Sequence, residues 1–137
     1  SGTNQFVFKR HQAALTSLLK SPVATGGDTD LAINGRKFSG NAQRRKKHFL
    51  LFHGTFLIDF DLPLIEKTLR SPSRQPSYRA ERSHLDFLIN LGTSRALIRE
   101  SLARAWNAAT EAVHVPNERI ARLAAEKYNT DGWNLRI

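Results

Sequence analysis

An Asn34-Gly35 pair between two short runs of alternating apolar and polar residues constrains this chain more than any other feature. Asn-Gly favours a two-residue type I′ turn, which joins two antiparallel strands in a fixed register. That register pairs Ile33 with Arg36, Ala32 with Lys37, Leu31 with Phe38 and Asp30 with Ser39. Side chains alternate faces along a strand, so Leu31, Ile33 and Phe38 should share a core face. Asp30 and Lys37 should be diagonal neighbours on the opposite face, which also carries Ala32 and Ser39.

The residues that follow are small, and Ser39-Gly40-Asn41-Ala42 leaves backbone that a ligand can approach closely. A cation such as Lys37 beside backbone N–H groups suits an acyl carbonyl or a phosphate. Spacing alone favours a simpler alternative, in which Lys37 is one of many surface lysines on an ordinary hairpin.

The longer sequence around this hairpin resembles the centre of lipoate–protein ligases and related lipoyl or octanoyl transferases, members of the biotin–lipoate protein ligase superfamily. That family typically reads Asn-Asp-(Ile/Leu)…Gly-(Arg/Lys)-Lys-(Ile/Val)-Ser-Gly-(Ser/Asn)-Ala, followed by His-His-Gly-Thr-Leu-Leu. The chain matches these motifs at Asp30-Leu31, at Gly35 to Ala42 and at His53-Gly54-Thr55. Residues 127–134 are similar to the Lys-Tyr-x-x-x-x-Trp-Asn near the family's C-terminal end. The resemblance runs from about residue 5 to the end.

The chain departs from the family pattern at three places. Thr29 stands where the family has asparagine, and Phe52 stands where it has the first histidine. The upstream Arg-Arg-x-Ser-Gly-Gly-Gly-x-x-x-His loop is absent from these 137 residues. The resemblance therefore implies that a second ligase subunit carries this loop. This chain, residues 1–137, would be the C-terminal half of a split, heterodimeric catalytic domain.

The resemblance also implies a reaction. ATP, with Mg²⁺, would activate lipoate or octanoate to an acyl-adenylate, and the acyl group would pass to a lysine of an acidic lipoyl carrier protein. Lys37 would be catalytic and Asp30 would orient it or the carrier lysine. The remaining expected site residues are Ser39, Gly40, Asn41, Ala42, His53 and Gly54 around the acyl-adenylate, and Arg44 and Arg45 for carrier docking or nucleotide phosphate.

Two other functions remain open. One is an ATP-independent transferase that moves lipoyl or octanoyl groups between carrier proteins, although the chain has no cysteine to form an acyl-thioester. The other is a non-catalytic basic scaffold, because a net charge of +9 attracts an acidic carrier or nucleic acid. The densest basic run, 44–48, lacks the aromatic residues of a base-stacking platform, so nucleic acid is not favoured. The histidine spacing predicts no metal-ligand cluster.

The order of predicted elements is typical of an α+β fold, with helices packed on a mixed or antiparallel sheet. An amphipathic helix over 6–20 precedes the hairpin over 30–44, and the almost entirely apolar run 48–60 predicts a strand buried on both faces. A short helix capped by Asp61 runs to Arg70, and a Pro/Ser-rich loop covers 71–77. Thr93 or Ser94 should cap a long helix whose apolar stripe reaches Val113. Residues 116–137 form the C-terminal helix and tail, with the helix over 117–128 and Ile120, Leu123 and Ala124 inward.

Targeting signals are not evident in the sequence. No stretch approaches 18 apolar residues, and no signal peptide is recognisable, so a cytoplasmic protein is expected. Ser1-Gly2 is typical of the remnant of a cleaved tag.

Overall fold

Four antiparallel strands organise residues 23–56 in the computed structural model, which describes residues 2–111 and 114–136. The strands are β1 (Val23–Gly26), β2 (Asp30–Ile33), β3 (Arg36–Arg45) and β4 (Leu50–Phe56), and they lie side by side in that order. The helices are α1 (Gly2–Leu19), α2 (Leu62–Thr68), α3 (His84–Phe87), α4 (Arg95–Ala105), α5 (Asn117–Leu123) and α6 (Asp131–Asn134). A 3₁₀ turn covers Ser77–Arg79, and a π-helical turn covers Ala124–Tyr128. The predicted α+β class is confirmed, with β1 as a strand that the sequence did not predict.

The core lies where α1 and α4 pack on the inner face of the sheet. Its buried members are Phe8, Leu15, Val23, Leu31, Ile33, Phe38 and Ile98. Gln12 on α1 donates a hydrogen bond to the carbonyl of Val23 at 3.1 Å, and the Val23 N–H donates to the Thr16 hydroxyl at 3.0 Å. These bonds fix α1 against β1. The predicted helix over 6–20 is confirmed, but it begins four residues earlier, at Gly2.

The hairpin turn forms as predicted, but its register changes beyond the second pair. Asn34 and Gly35 have φ values of 50° and 71°, as both central residues of a type I′ turn require. Ala32 pairs with Lys37, whereas Leu31 pairs with Ser39 and Asp30 with Gly40. A β-bulge therefore leaves Phe38 as an extra residue on β3. The predicted pairing of Leu31 with Phe38 and of Asp30 with Ser39 is wrong by one residue.

The strand predicted to be buried on both faces is an exposed edge strand. β4 pairs with β3 on one side, and no other strand among the described residues pairs with its second edge. Phe49 is 79% exposed and Leu51 is 59% exposed. The strand also stops at Phe56 instead of continuing to residue 60. Phe52 and Phe56 pack on the core from one face of β4, whereas nothing in the described chain covers the opposite face around Leu51.

The helix caps explain where the later helices begin and end. Asp61 caps α2 by accepting a hydrogen bond from the Leu64 N–H at 3.1 Å, and Ser94 caps α4 by accepting one from the Leu97 N–H at 3.2 Å. α4 ends at Ala105, because Asn107 adopts a left-handed conformation with φ 50°. The predicted stripe through Ala109 is therefore wrong, and Val113 lies outside the described residues.

The C-terminal helix forms over the predicted residues, but its apolar side chains do not face inward. Ile120 and Leu123 are both exposed on α5, and Ala124, at the start of the π-helical turn, is only half-buried. The helix makes its main contacts with the following π-helical turn instead of the sheet. Among all the described helices, none is long and apolar enough to cross a membrane.

Candidate active site

Lys37 and Asp30 form an ion pair on the outer face of the bulged hairpin. The Nζ of Lys37 lies 2.8 Å from Oδ1 of Asp30, and the two side chains are 29% and 8% exposed. The predicted placement of both residues on one face is therefore confirmed. A buried carboxylate is stable only when its oxygens are engaged. Here Oδ2 also accepts a hydrogen bond from the hydroxyl of Tyr78 at 2.7 Å, so both oxygens have a strong partner.

Two glycines leave room for this arrangement. A Cβ on Gly40 would lie 3.2 Å from Nζ and 3.3 Å from Cε of Lys37, so a larger residue would push the lysine away. A Cβ on Gly26 would overlap the ring of Tyr78. Gly40 and Gly26 are the cross-strand partners of Asp30 on its two sides. Each strand beside Asp30 therefore has a glycine next to the carboxylate. The side chain of Lys37 lies over Gly40, and the ring of Tyr78 lies over Gly26.

Asn41 ties β3 to the residue before β2. Its Nδ2 donates to the carbonyl of Thr29 at 2.8 Å and to the hydroxyl of Ser39 at 3.1 Å, and its backbone N–H donates to the same Thr29 carbonyl at 2.9 Å. A Cβ on Gly54, which pairs with Asn41, would overlap the Asn41 amide. Ser39 is almost fully buried. Asn41, Ser39 and Gly54 thus shape the strand beneath Lys37.

Lys37 lies at the boundary of two clefts. The first has a volume of about 290 Å³, and its apolar wall is formed by Leu57, Ile65, Leu69, Phe87 and Leu88. Lys37, Ser39 and Gly40 form its floor on β3. The second has a volume of about 410 Å³ and is lined by polar residues, including Asp28, Thr29 and Arg74, together with Asp30 and Lys37. Lys37 therefore lines both an apolar and a polar cleft.

The remaining predicted residues lie farther along the β3–β4 ladder. Ala42 pairs with His53, and both are exposed and line neither cleft. Arg44 and Arg45 are exposed at the far end of β3, seven and eight residues after Lys37, which is roughly 25 Å of strand. Arg45 contacts the hydroxyl of Thr3 on α1. The two arginines therefore form a separate basic surface.

Sequence reasoning missed the part of the site that comes from residues 77–88. Arg79 is 4% exposed, its guanidinium lies 4.8 Å above the Phe87 ring, and it lines the apolar cleft with His84. Arg36 donates to the Leu88 carbonyl at 2.6 Å, and the Ile89 N–H donates to the Lys37 carbonyl at 3.0 Å. These bonds fix the segment on β3. The run Tyr78-Arg79…Arg82…His84 is visible in the sequence, but nothing local connects it to Asp30, 48 residues away.

Two side chains of the described region have displaced pKa values. The pKa of Tyr78 is raised well above its ordinary value, mainly by burial and further by the hydrogen bond and charge of Asp30. The tyrosine therefore stays a neutral donor to the carboxylate. The pKa of His11 in α1 is lowered by burial. In residues 2–111 and 114–136, no three acidic, histidine or cysteine side chains are grouped to hold a metal ion.

The fold is that of lipoate–protein ligases. One chain in the structure of a bi-partite lipoate protein ligase with its E2 lipoyl domain from Thermoplasma acidophilum matches 98% of this chain with a TM-score of 0.79, at 21% identity. A lipoate–protein ligase A structure with bound ATP matches 95% with a TM-score of 0.71, also at 21% identity. This chain covers 57% and 58% of those two chains. Residues 7–97 match the model of the lipoyl protein ligase A/B catalytic domain, so the chain belongs to that family.

Sequence relatives point to the same family. Octanoyltransferase LipM of Symbiobacterium thermophilum is 30% identical over 125 residues, which are 82% of this chain and 46% of that protein. LipM of Geobacillus kaustophilus is 31% identical over 123 residues, or 78% of this chain and 43% of that protein. The chain thus spans about half the length of the curated relatives it matches.

Proposed function

We propose that this chain is one subunit of a split lipoate–protein ligase, the C-terminal half of its catalytic domain. With ATP it would activate lipoate or octanoate to an acyl-adenylate and pass the acyl group to a lysine of a lipoyl carrier protein. The observation that carries the proposal is the Lys37–Asp30 ion pair at the boundary of an apolar and a polar cleft. An acyl-adenylate has an apolar chain and an anionic phosphate joined at one carbonyl, and it matches this division.

In the first step a carboxylate oxygen of the acid attacks the α-phosphorus of ATP, and pyrophosphate leaves. The acyl chain would lie along Leu57, Ile65 and Phe87, and the phosphate would lie in the polar cleft toward Arg74. Mg²⁺ would arrive bound to the ATP phosphates, whose oxygens suit that ion. The compact ammonium of Lys37 offsets the charge that develops on the phosphate oxygens.

In the second step the neutral amine of the carrier lysine attacks the acyl carbonyl, AMP leaves with the electrons of the broken C–O bond, and the proton released from the amine passes to the departing phosphate or to water. Lys37 polarises the carbonyl and stabilises the leaving AMP. Asp30 holds Lys37 in place instead of accepting the proton of the incoming amine, because Lys37 and Tyr78 already occupy its two oxygens. Positioning and fixed charge then supply the catalysis.

The exposed edge of β4 supports a partner subunit. Phe49, Leu50 and Leu51 place apolar side chains on or beside a strand with a free edge, which is a surface suited to pairing with another strand. The partner would carry the Arg-x-Ser-Gly-Gly-Gly loop that these residues lack. The positive charge of the chain would attract an acidic lipoyl carrier. We infer a cytoplasmic location, where ATP and carrier are available to the enzyme.

A second candidate is an ATP-independent transferase that moves octanoyl or lipoyl groups between carriers. It is favoured by the two LipM relatives, both octanoyltransferases. The chain offers no cysteine for a thioester, so the acceptor amine would attack the carrier-bound acyl group directly or a partner would supply the thiol.

One assay separates these functions. The chain is purified and incubated, with and without its partner subunit, with lipoate and an apo lipoyl domain, and acceptor mass is measured. The ligase requires ATP and produces a lipoylated acceptor that Lys37→Ala abolishes. Modification from an octanoylated carrier without ATP would establish the transferase. No modification under either condition would contradict both.

A further inference from the structure

We propose that Tyr78 is a positioning residue for Lys37 and acts through Asp30. The hydroxyl of Tyr78 lies 2.7 Å from Oδ2 of Asp30, whose Oδ1 lies 2.8 Å from Nζ of Lys37. The three side chains form a relay that begins on a 3₁₀ turn and ends on β3. The catalytic consequence rests on the proposed function, whereas the relay itself is a property of this chain.

A lysine held by a single ion pair is poorly positioned. The four-carbon stem rotates freely, and a partly exposed ion pair restrains it only weakly. The position of Nζ therefore depends on how firmly its carboxylate is fixed. Asp30 is buried on β2, and its side-chain torsions are fixed because the tyrosine hydroxyl donates to the oxygen that the lysine does not use. A hydrogen bond to a charged group is worth more than a neutral one, so this donor is a strong restraint.

Tyr78 is held independently of its hydroxyl. Its ring fills the space above Gly26 and lies 5.1 Å from the Phe87 ring. Arg82 donates to the Tyr78 carbonyl at 2.7 Å and to the Gly35 carbonyl at 2.9 Å. The backbone of the 3₁₀ turn is thus tied to the hairpin turn. Tyr78→Phe should keep these contacts and remove the hydroxyl alone.

The protonation of Tyr78 fits this role. Burial and the neighbouring carboxylate raise its pKa, so the hydroxyl keeps its proton at neutral pH. The guanidinium groups of Arg79 and Arg82 oppose that shift, but the effects of burial and of Asp30 outweigh them. The residue is therefore a donor to Asp30 at neutral pH.

The first test uses the chain alone and measures how fast Lys37 is modified. A small amine-reactive ester is added at fixed pH, and peptide mass spectrometry follows each lysine. Tyr78→Phe should raise the rate at Lys37 by roughly tenfold, as expected for loss of a hydrogen bond to a charged group. Lys9 and Lys67, both exposed, serve as internal references, and Tyr128→Phe is the matched tyrosine control. In an Asp30→Asn background, Tyr78→Phe should have no further effect.

Two results of this test would overturn the proposal. One is an unchanged rate at Lys37 in Tyr78→Phe. The other is an equal effect of Tyr78→Phe with and without Asp30, since the tyrosine would then act through general packing and not through the carboxylate.

The second test uses the assembled enzyme. Tyr78→Phe should lower kcat by roughly tenfold and leave the KM for the lipoyl domain unchanged, because the relay positions the lysine and does not bind the carrier. An unchanged kcat, with faster labelling of Lys37, would overturn the catalytic part of the proposal. If the wild-type assembly transfers no acyl group, the proposed function fails, and the labelling experiment still decides whether Tyr78 positions Lys37.

Discussion

Gly40 lies directly beneath the ammonium of Lys37, with its missing Cβ only 3.2 Å from Nζ. The two residues are three positions apart, and in a regular strand they would face opposite sides. The bulge at Phe38 brings them to one side and makes Gly40 the cross-strand partner of Asp30. The position of the lysine is therefore set by the backbone of its own strand as well as by the carboxylate.

Gly40→Ala is expected to displace Lys37 while the fold survives. The added methyl meets the flexible end of a side chain, so the lysine moves instead of the backbone, and the melting temperature should change by no more than a few degrees. Acyl transfer by the assembled enzyme should fall at least tenfold. Gly132→Ala is the matched control, because a Cβ at Gly132 meets nothing within 4 Å. Full activity in Gly40→Ala would show that the glycine at this position does not determine where the Lys37 ammonium lies.

Lys37→Ala should slow acyl transfer by roughly 10²–10³, the usual cost of removing one electrostatic contact to the transition state. Lys37→Arg should also fail, because the planar guanidinium does not fit above Gly40 as a compact point charge. Lys67→Ala, an exposed lysine on α2, is the control. The measurement is single-turnover acyl transfer to the lipoyl domain. Near-normal transfer by Lys37→Ala would remove the lysine from the mechanism.

The double variant of Arg44 and Arg45 to alanine should weaken binding and spare the chemistry. Both arginines are exposed at the far end of β3, so we expect a higher KM for the acidic carrier and a nearly constant kcat. The defect should shrink as salt concentration rises, since screening already weakens the attraction in the wild type. Arg119→Ala with Arg122→Ala removes the same charge from α5. Equal effects of the two double variants would mean that only net charge matters.

Leu51→Lys is expected to block assembly with the partner subunit. Leu51 is exposed on the edge strand, so the change should cost the isolated chain little stability, whereas a charge on a strand edge opposes pairing. Light scattering of the mixed subunits should give separate components for the variant and a complex for the wild type. Leu97→Lys changes an exposed leucine on α4 and should not affect assembly. A complex that forms equally well with Leu51→Lys would place the interface elsewhere.

The raised pKa of Tyr78 predicts that the folded chain loses stability at alkaline pH. Burial and Asp30 raise its pKa in the folded state, so the unfolded chain loses this proton first. The stability it contributes is complete below its ordinary pKa of about 10 and is lost as pH rises toward the raised value. The free energy of unfolding should thus fall more steeply above about pH 10 in the wild type than in Tyr78→Phe. Urea unfolding at each pH measures this free energy, and identical pH profiles of the two proteins would contradict the expectation.

Local sequence was sufficient for the hairpin and its ion pair. Asn34-Gly35 sets two left-handed residues, and strand alternation then places Asp30 and Lys37 on one face whatever follows. The bulge could not be predicted in this way. It depends on how β3 fits between β2 and β4, and no pattern within five residues shows that Phe38 has no partner on β2.

Contacts between residues distant in sequence explain the other features that the sequence did not predict. Tyr78 reaches Asp30 across 48 residues, after a Pro/Ser-rich loop with no periodicity. The apolar run of β4 correctly predicted a strand, but burial of its second face depends on a covering surface that the described residues do not contain. The stripe of α4 was extended too far because a left-handed asparagine, not a proline or glycine, ends the helix.

The bulge at Phe38 makes the length of this hairpin strand a fixed quantity. Deleting Phe38 or Ser39 would remove the bulge, and Lys37 and Gly40, then two positions apart on a regular strand, would still face outward. The core would instead lose one of two almost fully buried side chains. The segment should therefore tolerate substitutions at its exposed positions far better than a deletion, because the extra residue of the bulge is also a residue of the core.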